Sequence, residues 1–374
     1  VQNTLAQEAY GSSMALAAGR AAALLWPGMM TLAWLAWRFE GVPMPGLWES
    51  AGPVTAFLPP YIAALWGQSR LWKAKVPAPA SPIIGVPFDG RTGEGWAHLL
   101  GPESAIVNLA GENIAEGRWT EDKKHRILQS RLSAGAAVVD ALRRAASADA
   151  GMPAALIQAS AVGYYGPRGT EPVGEDEPSG TGFLAEVSRR WEASTQEAEA
   201  LGVRRAVVRT SMVLGRGGAL AKMLPAFRLG LGGPLGNGRQ MVPWIHLDDE
   251  VGAILFLLGA LEPAAGHTAA TPAATALSGP FNLAAPEAVD SRGFARTLGK
   301  ALGRPAFLPA PGLALQLILG QMAQEVLLSG VRAVPTRLTA AGYRFRHPGL
   351  AGALADVLAG PDEQTGMLTG TRQP

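Results

Sequence analysis

Short apolar runs alternate along the chain with longer segments in which apolar residues recur at helical spacing. The runs at residues 105–109 and 155–159 are too short for buried helices and are bounded by turn-forming residues, which is typical of buried strands. Thr120 is a predicted N-cap, because Lys123 and Ile127 follow it at helical spacing. Strands that alternate with helices predict an α/β fold with a Rossmann-like, doubly wound parallel sheet.

The same pattern gives a complete set of predicted elements. Predicted strands occupy residues 83–88, 105–109, 155–159, 203–209 and 281–284. Predicted helices occupy residues 96–100, 120–144, 183–201, 220–229, 251–261, 291–302 and 313–328. His246, Asp248 and Asp249 are expected to cap the strand-to-helix turn before Val251, and the acidic pair is the favoured cap of that helix. The predicted organisation is an atypical apolar segment (1–80), a Rossmann-like core (81–260), a small carboxyl-terminal α/β domain (261–358) and a loose tail (359–374).

The amino-terminal segment differs from the rest in composition. Residues 1–75 carry only eight charged residues but six of the ten tryptophans, and the runs 21–37 and 51–66 are uncharged and interrupted by proline. Runs of this length lie between a membrane-spanning helix and a core segment. Three interpretations are open: membrane association through residues 21–66, an unusual replacement for the first strands and helices, or sequence outside the native reading frame or gene start. A targeting segment is a further interpretation of the Ala-rich start.

Composition and charge exclude several classes of function. The chain has 374 residues and a formal net charge of +2 without a long basic run, so nucleic acid is not an expected partner. It contains no cysteine, which excludes disulfides and thiolate chemistry. The five histidines are scattered without a metal-ligand spacing, and we therefore predict no metal site.

Two predicted strands end in residues suited to ligand binding. Leu109, Ala110 and Gly111 form a small-residue turn after the strand at 105–109, and Ser160 and Tyr164 follow the next strand. Ligands of open α/β sheets bind at the carboxyl ends of the strands. These residues are therefore the first candidates for a site, although a plain tight turn, a capping serine and a packing tyrosine are alternatives.

Several short motifs in order resemble one known family over about residues 83–358. The chain is similar to the extended short-chain dehydrogenase/reductase superfamily, and most similar to the "epimerase family protein" subgroup related to nucleotide-sugar epimerases. The segments that carry the resemblance are 108–114, 118–120, 160–166, 182–186, 191–192, 209–215, 217–221, 231–236, 244–249, 320–323 and 340–345.

The resemblance implies a role for several of these residues. Leu109, Ala110 and Gly111 would lie against the adenosine side of a dinucleotide. Ala159, Arg209 and Thr210 would also bind the cofactor, and the backbone from Thr210 onward would lie near the nicotinamide. Ser160 would contact substrate, and Tyr164 is a candidate proton donor. The cofactor implied for the subgroup is NADP.

The chain departs from the superfamily pattern in two places. The superfamily uses a Tyr and a Lys spaced Y-x-x-x-K, in which the Lys lowers the pKa of the phenol, whereas this chain has Leu184 and Ser188 at about those positions. No strand followed by a glycine-rich phosphate-binding turn precedes residue 81, and the glycines of 11–19 have the wrong spacing.

Two classes of function therefore stay open. The first is an NAD(P)-binding oxidoreductase or epimerase that acts on a small molecule, for which the resemblance suggests a nucleotide sugar. The second is a non-catalytic regulatory protein on the same fold, cell-division-inhibitor-like and, with its apolar amino terminus, membrane-associated. The resemblance is compatible with a cytoplasmic or plastid location.

Overall fold

The computed structural model describes residues 86–148, 151–259 and 277–359. The predictions for residues 1–80, including membrane association through residues 21–66, lie outside these ranges. The carboxyl-terminal tail beyond residue 359 lies outside them as well. In the part of the chain that the structure describes, no helix combines the length and the apolar character needed to cross a membrane.

The described residues form eight strands and nine α-helices. The strands are β1 (Ala105–Asn108), β2 (Ala155–Ala161), β3 (Pro172–Val173), β4 (Arg204–Thr210), β5 (Met212–Leu214), β6 (Trp244–His246), β7 (Gly279–Leu283) and β8 (Arg332–Ala333). The helices are α1 (Glu121–Ser147), α2 (Phe183–Ala193), α3 (Glu197–Ala200), α4 (Gly218–Arg228), α5 (Leu247–Leu258), α6 (Ser291–Ala301), α7 (Gly312–Leu319), α8 (Thr336–Ala340) and α9 (Leu350–Ala359). Short 3₁₀ turns span Ala97–Leu99 and Val162–Tyr165, and a π-helical turn spans Ala323–Leu327.

A four-stranded parallel sheet in the order β1-β2-β4-β7 forms the centre of the fold. Two small parallel pairs, β3-β8 and β5-β6, extend it at the carboxyl side. The register pairs Ser160 with Arg209 and Ala161 with Thr210, so the carboxyl ends of β2 and β4 lie level. The predicted Rossmann-like parallel sheet with flanking helices is confirmed.

Helices cover both faces of this sheet because consecutive strand residues point to opposite sides. On one face, Leu156 of β2 packs with Val138 and Leu142 of α1. On the other face, Ile157 packs with Phe256 of α5. Six of the seven residues of β2 are buried, as expected for a central parallel strand.

The first strand is less enclosed than β2. Ile106 and Asn108 of β1 are buried, but Val107 is 39% exposed and Leu109, just beyond the strand, is 60% exposed. In the described part of the chain, β1 pairs only with β2. Among the described residues, no strand lies on the other side of β1.

The elements after residue 277 return to the main body. β7 pairs with β4, so a strand beyond the predicted boundary at 260 belongs to the large sheet. Helices α6 and α9 pack with α4 through Phe294, Leu354 and Phe227. Leu315 of α7 packs with Ile127 of α1. The predicted domain boundaries stay predictions.

The predicted N-cap at Thr120 is confirmed, since its hydroxyl accepts a hydrogen bond from the Lys123 amide. The acidic pair does not cap α5. Instead, His246 Nδ1 accepts a hydrogen bond from the Asp248 amide at 3.1 Å. Asp249 is fully buried and accepts hydrogen bonds from the amides of Arg346 and His347. The Asp249 carboxylate thereby fixes the chain that leads into α9.

Two long predicted helices are interrupted. The helix predicted at 183–201 breaks after Ala193, where Ser194 packs so closely on α1 that a Cβ added to Gly135 would lie 2.0 Å from the Ser194 hydroxyl. The helix predicted at 313–328 stops at Gly320, whose φ of +64° ends α7. The strand predicted at 83–88 begins outside the described residues, and residues 86–88 are not in a strand.

We expect Phe281→Ala to lower the free energy of unfolding by about 3–5 kcal/mol, because this β7 side chain is fully buried between strands and helices. Denaturant unfolding followed by circular dichroism measures the change. Phe307→Ala is the matched control, since Phe307 is 71% exposed and its loss should change stability by less than about 0.5 kcal/mol. Equal effects of the two substitutions would contradict this description of the core.

Candidate functional site

A cavity of about 530 Å³ lies at the carboxyl ends of β2 and β4. Ala161–Gly163 and Thr210–Met212 form its floor, and side chains from α2, α4, α6 and α7 form its walls. This position is the one at which open α/β sheets bind ligands. Its volume suits a small organic molecule.

Arg209 occupies the centre of a buried polar network next to the cavity. Its Nε donates to Glu192 Oε1 at 2.9 Å and its Nη2 donates to Glu192 Oε2 at 3.0 Å. Its Nη1 donates to the Tyr165 hydroxyl at 2.9 Å and to the Glu175 carbonyl at 3.0 Å. The guanidinium therefore directs its hydrogen bonds to protein groups around β4. Its contact with Glu192 has the bidentate geometry that arginine forms with carboxylates.

The network continues on both sides of this ion pair. The Ser160 hydroxyl donates to Glu192 Oε1 at 2.7 Å. The Tyr165 hydroxyl donates to Asn282 Oδ1 of β7 at 2.7 Å. The Tyr164 ring lies on the guanidinium, 3.6 Å from the Arg209 Cζ to the ring centroid. Although burial alone lowers the pKa of Arg209, its hydrogen bonds and charge attraction with Glu192 raise that pKa above the ordinary value.

The structure thus brings three predicted site residues together. They gather around Glu192 and not around the cavity. Ser160, Tyr164 and Arg209 all contact this network, and their side chains do not line the cavity. Thr210 does line the cavity. Catalytic and cofactor-binding roles for these residues stay predictions.

The other predicted cofactor contacts lie apart from the Glu192 network. Ala159 is buried in the core beneath the sheet, so only its backbone can face a ligand. Leu109, Ala110 and Gly111 follow β1 at the carboxyl edge of the sheet. A Cβ on Gly111 would lie 3.0 Å from Arg131 Cζ, so this turn is tightly packed against α1. The cofactor-binding role of the turn also stays a prediction.

Leu184 and Ser188, which stand where the superfamily has Tyr and Lys, both line the cavity from α2. Ser188 is only 3% exposed. The cavity wall therefore presents an isobutyl group and a small hydroxyl where the superfamily places its acid–base pair. A tyrosine-based proton transfer cannot start from either residue.

The amino end of α2 is held by the carboxyl-terminal part of the chain. Glu325, in the π-helical turn, accepts hydrogen bonds from the amides of Phe183 at 3.1 Å and Leu184 at 2.8 Å. A carboxylate at a helix amino terminus is favourable because it pairs with unsatisfied N–H groups and with the helix dipole. Glu325 therefore connects the two walls of the cavity.

Sequence reasoning missed Glu250, a buried carboxyl group behind the cavity floor. It is 9% exposed on α5, and its Oε1 accepts a hydrogen bond from the Thr210 hydroxyl at 2.8 Å. Its Oε2 is buried without a hydrogen-bond partner. Burial raises the pKa of Glu250 to about 7, since the Thr210 hydrogen bond offsets only part of the desolvation. The sequence did not indicate that Glu250 is buried, because it directly follows Asp248 and Asp249 in an acidic run.

The structure also brings together two histidines that are about a hundred positions apart. The His246 and His347 rings are 3.8 Å apart, and potential ligand atoms of His246, Asp248, His347 and Asp356 lie within 4.8 Å of one another. These four residues could hold a metal ion, a juxtaposition that the sequence spacing did not indicate. However, His246 Nδ1 already accepts the helix-capping hydrogen bond, so the neutral ring carries its proton on Nε2, 3.2 Å from an Asp356 oxygen. Nε2 is buried and makes no hydrogen bond, so the Asp356 contact is one of charge proximity. The absence of a metal stays a prediction.

An open parallel sheet covered by helices, with a cavity at its carboxyl edge, defines the class of Rossmann-like α/β proteins. Two family models match this chain: the NAD dependent epimerase/dehydratase family over residues 98–268, and a domain of unknown function (DUF1731) over residues 310–357. The chain belongs to the NAD dependent epimerase/dehydratase family.

Relatives support this membership. An epimerase family protein of Mycobacterium tuberculosis, MT2273, is 40% identical over 275 residues, which is 73% of this chain and 85% of the relative. Human epimerase family protein SDR39U1 is 39% identical over 259 residues, covering 68% of this chain and 82% of that protein.

Solved structures agree with the fold. The crystal structure of human SDR39U1 (isoform 2) with NADPH has a TM-score of 0.61 and 36% identity, and the match covers 73% of this chain and 88% of that chain. RMD from Pseudomonas aeruginosa complexed with NADPH has a TM-score of 0.53 at 18% identity, over 76% of this chain and 91% of that one, which shows the fold alone.

We expect Arg209→Met to lower the free energy of unfolding by about 2–4 kcal/mol, because it leaves the largely enclosed Glu192 carboxylate, 14% exposed, without its cation. The double variant Arg209→Met with Glu192→Met should recover part of this loss, since no uncompensated charge remains. Denaturant titration measures both. Arg143→Met, which breaks an exposed pair with Glu197, is the control and should change little. An additive double variant would count against the buried pair.

Glu250→Gln should stabilise the protein increasingly as pH rises. The folded pKa of Glu250, about 7, lies above the ordinary value of 4.5 that applies to the unfolded chain. The wild type therefore loses stability between pH 4.5 and 7 as this carboxyl ionises on unfolding, by on the order of 3 kcal/mol at pH 8. Glutamine cannot ionise and escapes this loss. Unfolding free energies at pH 5 and pH 8 test the effect, and a pH-independent difference between variant and wild type would refute it.

Proposed function

We propose that this protein binds NADP(H) and acts as an oxidoreductase or epimerase on a small molecule. One observation carries the proposal. The cavity at the carboxyl ends of β2 and β4 belongs to a chain that is 36% identical to human SDR39U1, a protein crystallised with NADPH, over 88% of that chain. Ligands of doubly wound sheets bind at this edge.

The described residues fit one side of such a cofactor. Leu109, Ala110 and Gly111 follow β1 at the carboxyl edge of the sheet, where small residues let a ligand approach the backbone. Thr210 lines the cavity between β4 and α5 and would face the nicotinamide side. When bound, NADPH supplies a hydride. The phosphate-binding side of the cofactor is not assigned to any of the described residues.

The cavity wall lacks the tyrosine and lysine pair that the superfamily uses for proton transfer. Leu184 cannot exchange a proton, and the Ser160 hydroxyl donates to Glu192. The Tyr164 ring is held on the Arg209 guanidinium. Candidate proton donors for a reduced substrate are Tyr164 released from this contact, a cavity hydroxyl, Lys222, Glu250 through Thr210, or solvent.

The lack of an acid–base pair at Leu184 and Ser188 favours a second candidate function. A protein that retains the sheet and the cavity, with Leu184 and Ser188 in place of an acid–base pair, suits a non-catalytic role in which ligand binding regulates a partner. A nucleotide sugar is the first substrate to test under the first candidate, since the resemblance suggests it. A relative from Arabidopsis thaliana, 37% identical over 70% of this chain and 71% of its own length, is named chloroplastic, which supports a plastid site as one proposed location.

Titration of the full chain with NADPH, followed by nicotinamide fluorescence, tests cofactor binding, with NADH as the comparison. We expect saturable binding of NADPH near micromolar concentration and weaker binding of NADH. Gly111→Val should weaken NADPH binding at least tenfold, because a side chain there crowds Arg131 and the turn. Gly169→Val is the matched control, since a Cβ at Gly169 meets nothing within 4 Å.

Folded protein that fails to bind NADPH would refute the cofactor proposal and favour the non-catalytic candidate. Circular dichroism of each variant shows that it is folded. Turnover of NADPH with a panel of sugar nucleotides and carbonyl compounds then separates the two candidates, since the non-catalytic protein binds the cofactor without consuming it.

A further inference from the structure

The walls of the cavity are unusually apolar for a site that would accept a nucleotide sugar. Its walls consist mainly of aliphatic, aromatic and thioether side chains from four helices and from the start of the π-helical turn, among them Leu184, Val187, Met223, Phe294, Ile318 and Met322. Burial of a charged ligand group among such side chains is costly unless the protein pairs it with an opposite charge. An anionic ligand would therefore need a free cation in the wall.

The two cations of the wall are already engaged. Arg131 Nη1 donates to the carbonyls of Ile127 at 2.9 Å and Glu112 at 3.1 Å. Lys222 Nζ donates to the Ala115 carbonyl at 3.0 Å. The Arg131 guanidinium is also stacked on an aromatic ring of the same wall. Backbone carbonyls therefore already hold Arg131 Nη1 and Lys222 Nζ, and the described wall has no further cation for a diphosphate, which carries two negative charges.

The one carboxylate among the described wall residues opposes a diphosphate. Glu325 lies at the amino end of α2, where it accepts hydrogen bonds from the Phe183 and Leu184 amides. A helix amino terminus is a common place for a phosphate group. Here that place is already filled by an acidic side chain, which would repel an anionic ligand.

Most polar side chains of the wall also have protein partners. The Thr210 hydroxyl donates to Glu250, the Ser211 hydroxyl donates to the Leu283 carbonyl, and the Gln240 amide donates to two carbonyls. Ser188 differs from these, because its hydroxyl has no hydrogen bond to any described residue.

Two further observations indicate that a ligand in the cavity can reach the Ser188 hydroxyl. The residue is 3% exposed, and it lines the cavity from the middle of α2. Its oxygen is not among the sealed, unpartnered atoms of the described chain, so the hydroxyl opens onto the cavity space. Thr181 also lines the cavity with a hydroxyl that has no hydrogen bond to a described residue, but Thr181 is exposed, whereas Ser188 lies within the apolar wall. A free hydroxyl at such an enclosed apolar position selects a ligand that places one hydrogen-bonding group there and is otherwise apolar.

We propose that this cavity binds a neutral, apolar carbonyl compound whose carbonyl oxygen accepts a hydrogen bond from Ser188, rather than a nucleoside diphosphate sugar. The volume of about 530 Å³ accommodates a compound with one or two rings or a medium-length aliphatic chain. This names the substrate class of the site proposed above and rests on that function. Ser188 is here a specificity-determining residue.

Isosteric probes test the hydrogen bond. 1-Naphthaldehyde and 1-methylnaphthalene have nearly the same shape, and only the aldehyde carries an acceptor. We expect Ser188→Ala to weaken 1-naphthaldehyde binding about twofold to tenfold, and to leave 1-methylnaphthalene binding unchanged. Trp191 lines the cavity, so quenching of tryptophan fluorescence reports occupancy, with calorimetry as a check. Equal loss of both probes, or no loss of either, would overturn the assignment of Ser188.

Chain length and charge test the apolar walls. Across a series of straight-chain aldehydes, each added methylene should tighten binding about threefold to fourfold until the cavity is full. UDP-glucose should neither bind nor compete at concentrations that saturate the aldehydes. Competitive, tighter binding of UDP-glucose would overturn the proposal.

Adjacent residues of α7 provide a matched pair. Ile318 lines the cavity, whereas Leu317 is 61% exposed. Ile318→Glu should weaken binding of both naphthalene probes at least tenfold, and Leu317→Glu should not affect it. Should Ile318→Glu fail to fold, Ile318→Ser carries the same comparison with a smaller loss.

An NADPH titration on the same preparation separates the two proposals. Protein that binds NADPH but no apolar carbonyl compound overturns this substrate class and leaves the cofactor proposal intact. Protein that binds the aldehydes with the predicted Ser188 dependence but not NADPH supports the cavity assignment and refutes the NADP(H) function.

Discussion

The ion pair between Arg209 and Glu192 is the interaction on which the candidate site depends. A guanidinium that is 4% exposed would be strongly unfavourable alone, so its position requires the Glu192 carboxylate at its side. The pair joins β4 to α2, and through Ser160 and Tyr165 it also joins β2 and β7. The strand ends and the helix that forms the cavity wall are thereby fixed relative to one another before any ligand arrives.

The central sheet could be predicted from local pattern because its strands are continuous apolar runs. The predicted strands at 105–109, 155–159 and 203–209 match β1, β2 and β4 to within two residues. Short strands such as β5 and β6 were missed, since three residues carry no usable period and their pairing is set by distant contacts. The helix break at Ser194 was also missed, and the close contact of Ser194 there is with Gly135 on another helix, which the local pattern does not show.

The site was less predictable than the fold. The motifs placed Ser160, Tyr164 and Arg209 in one region, and the structure does bring them together. What the motifs could not show is which groups satisfy one another: Arg209 turns to Glu192, and Tyr164 lies on its guanidinium. The burial of Glu250 and the free hydroxyl of Ser188 depend on packing between helices that are far apart in sequence. Such pairings are properties of the assembled tertiary structure, whereas strand and helix periods are properties of each segment.

The Glu325 cap on α2 has a consequence for the order in which the protein is made. The amides of Phe183 and Leu184 find their acceptor 142 and 141 positions further along the chain. During synthesis, the sheet strands β1, β2 and β4 leave the ribosome well before this carboxylate does, and until then water has to satisfy the amides at the amino end of α2. The binding cavity is therefore a late product of translation. A nascent chain truncated before the π-helical turn would carry most of its sheet but would have no finished site to recruit a ligand.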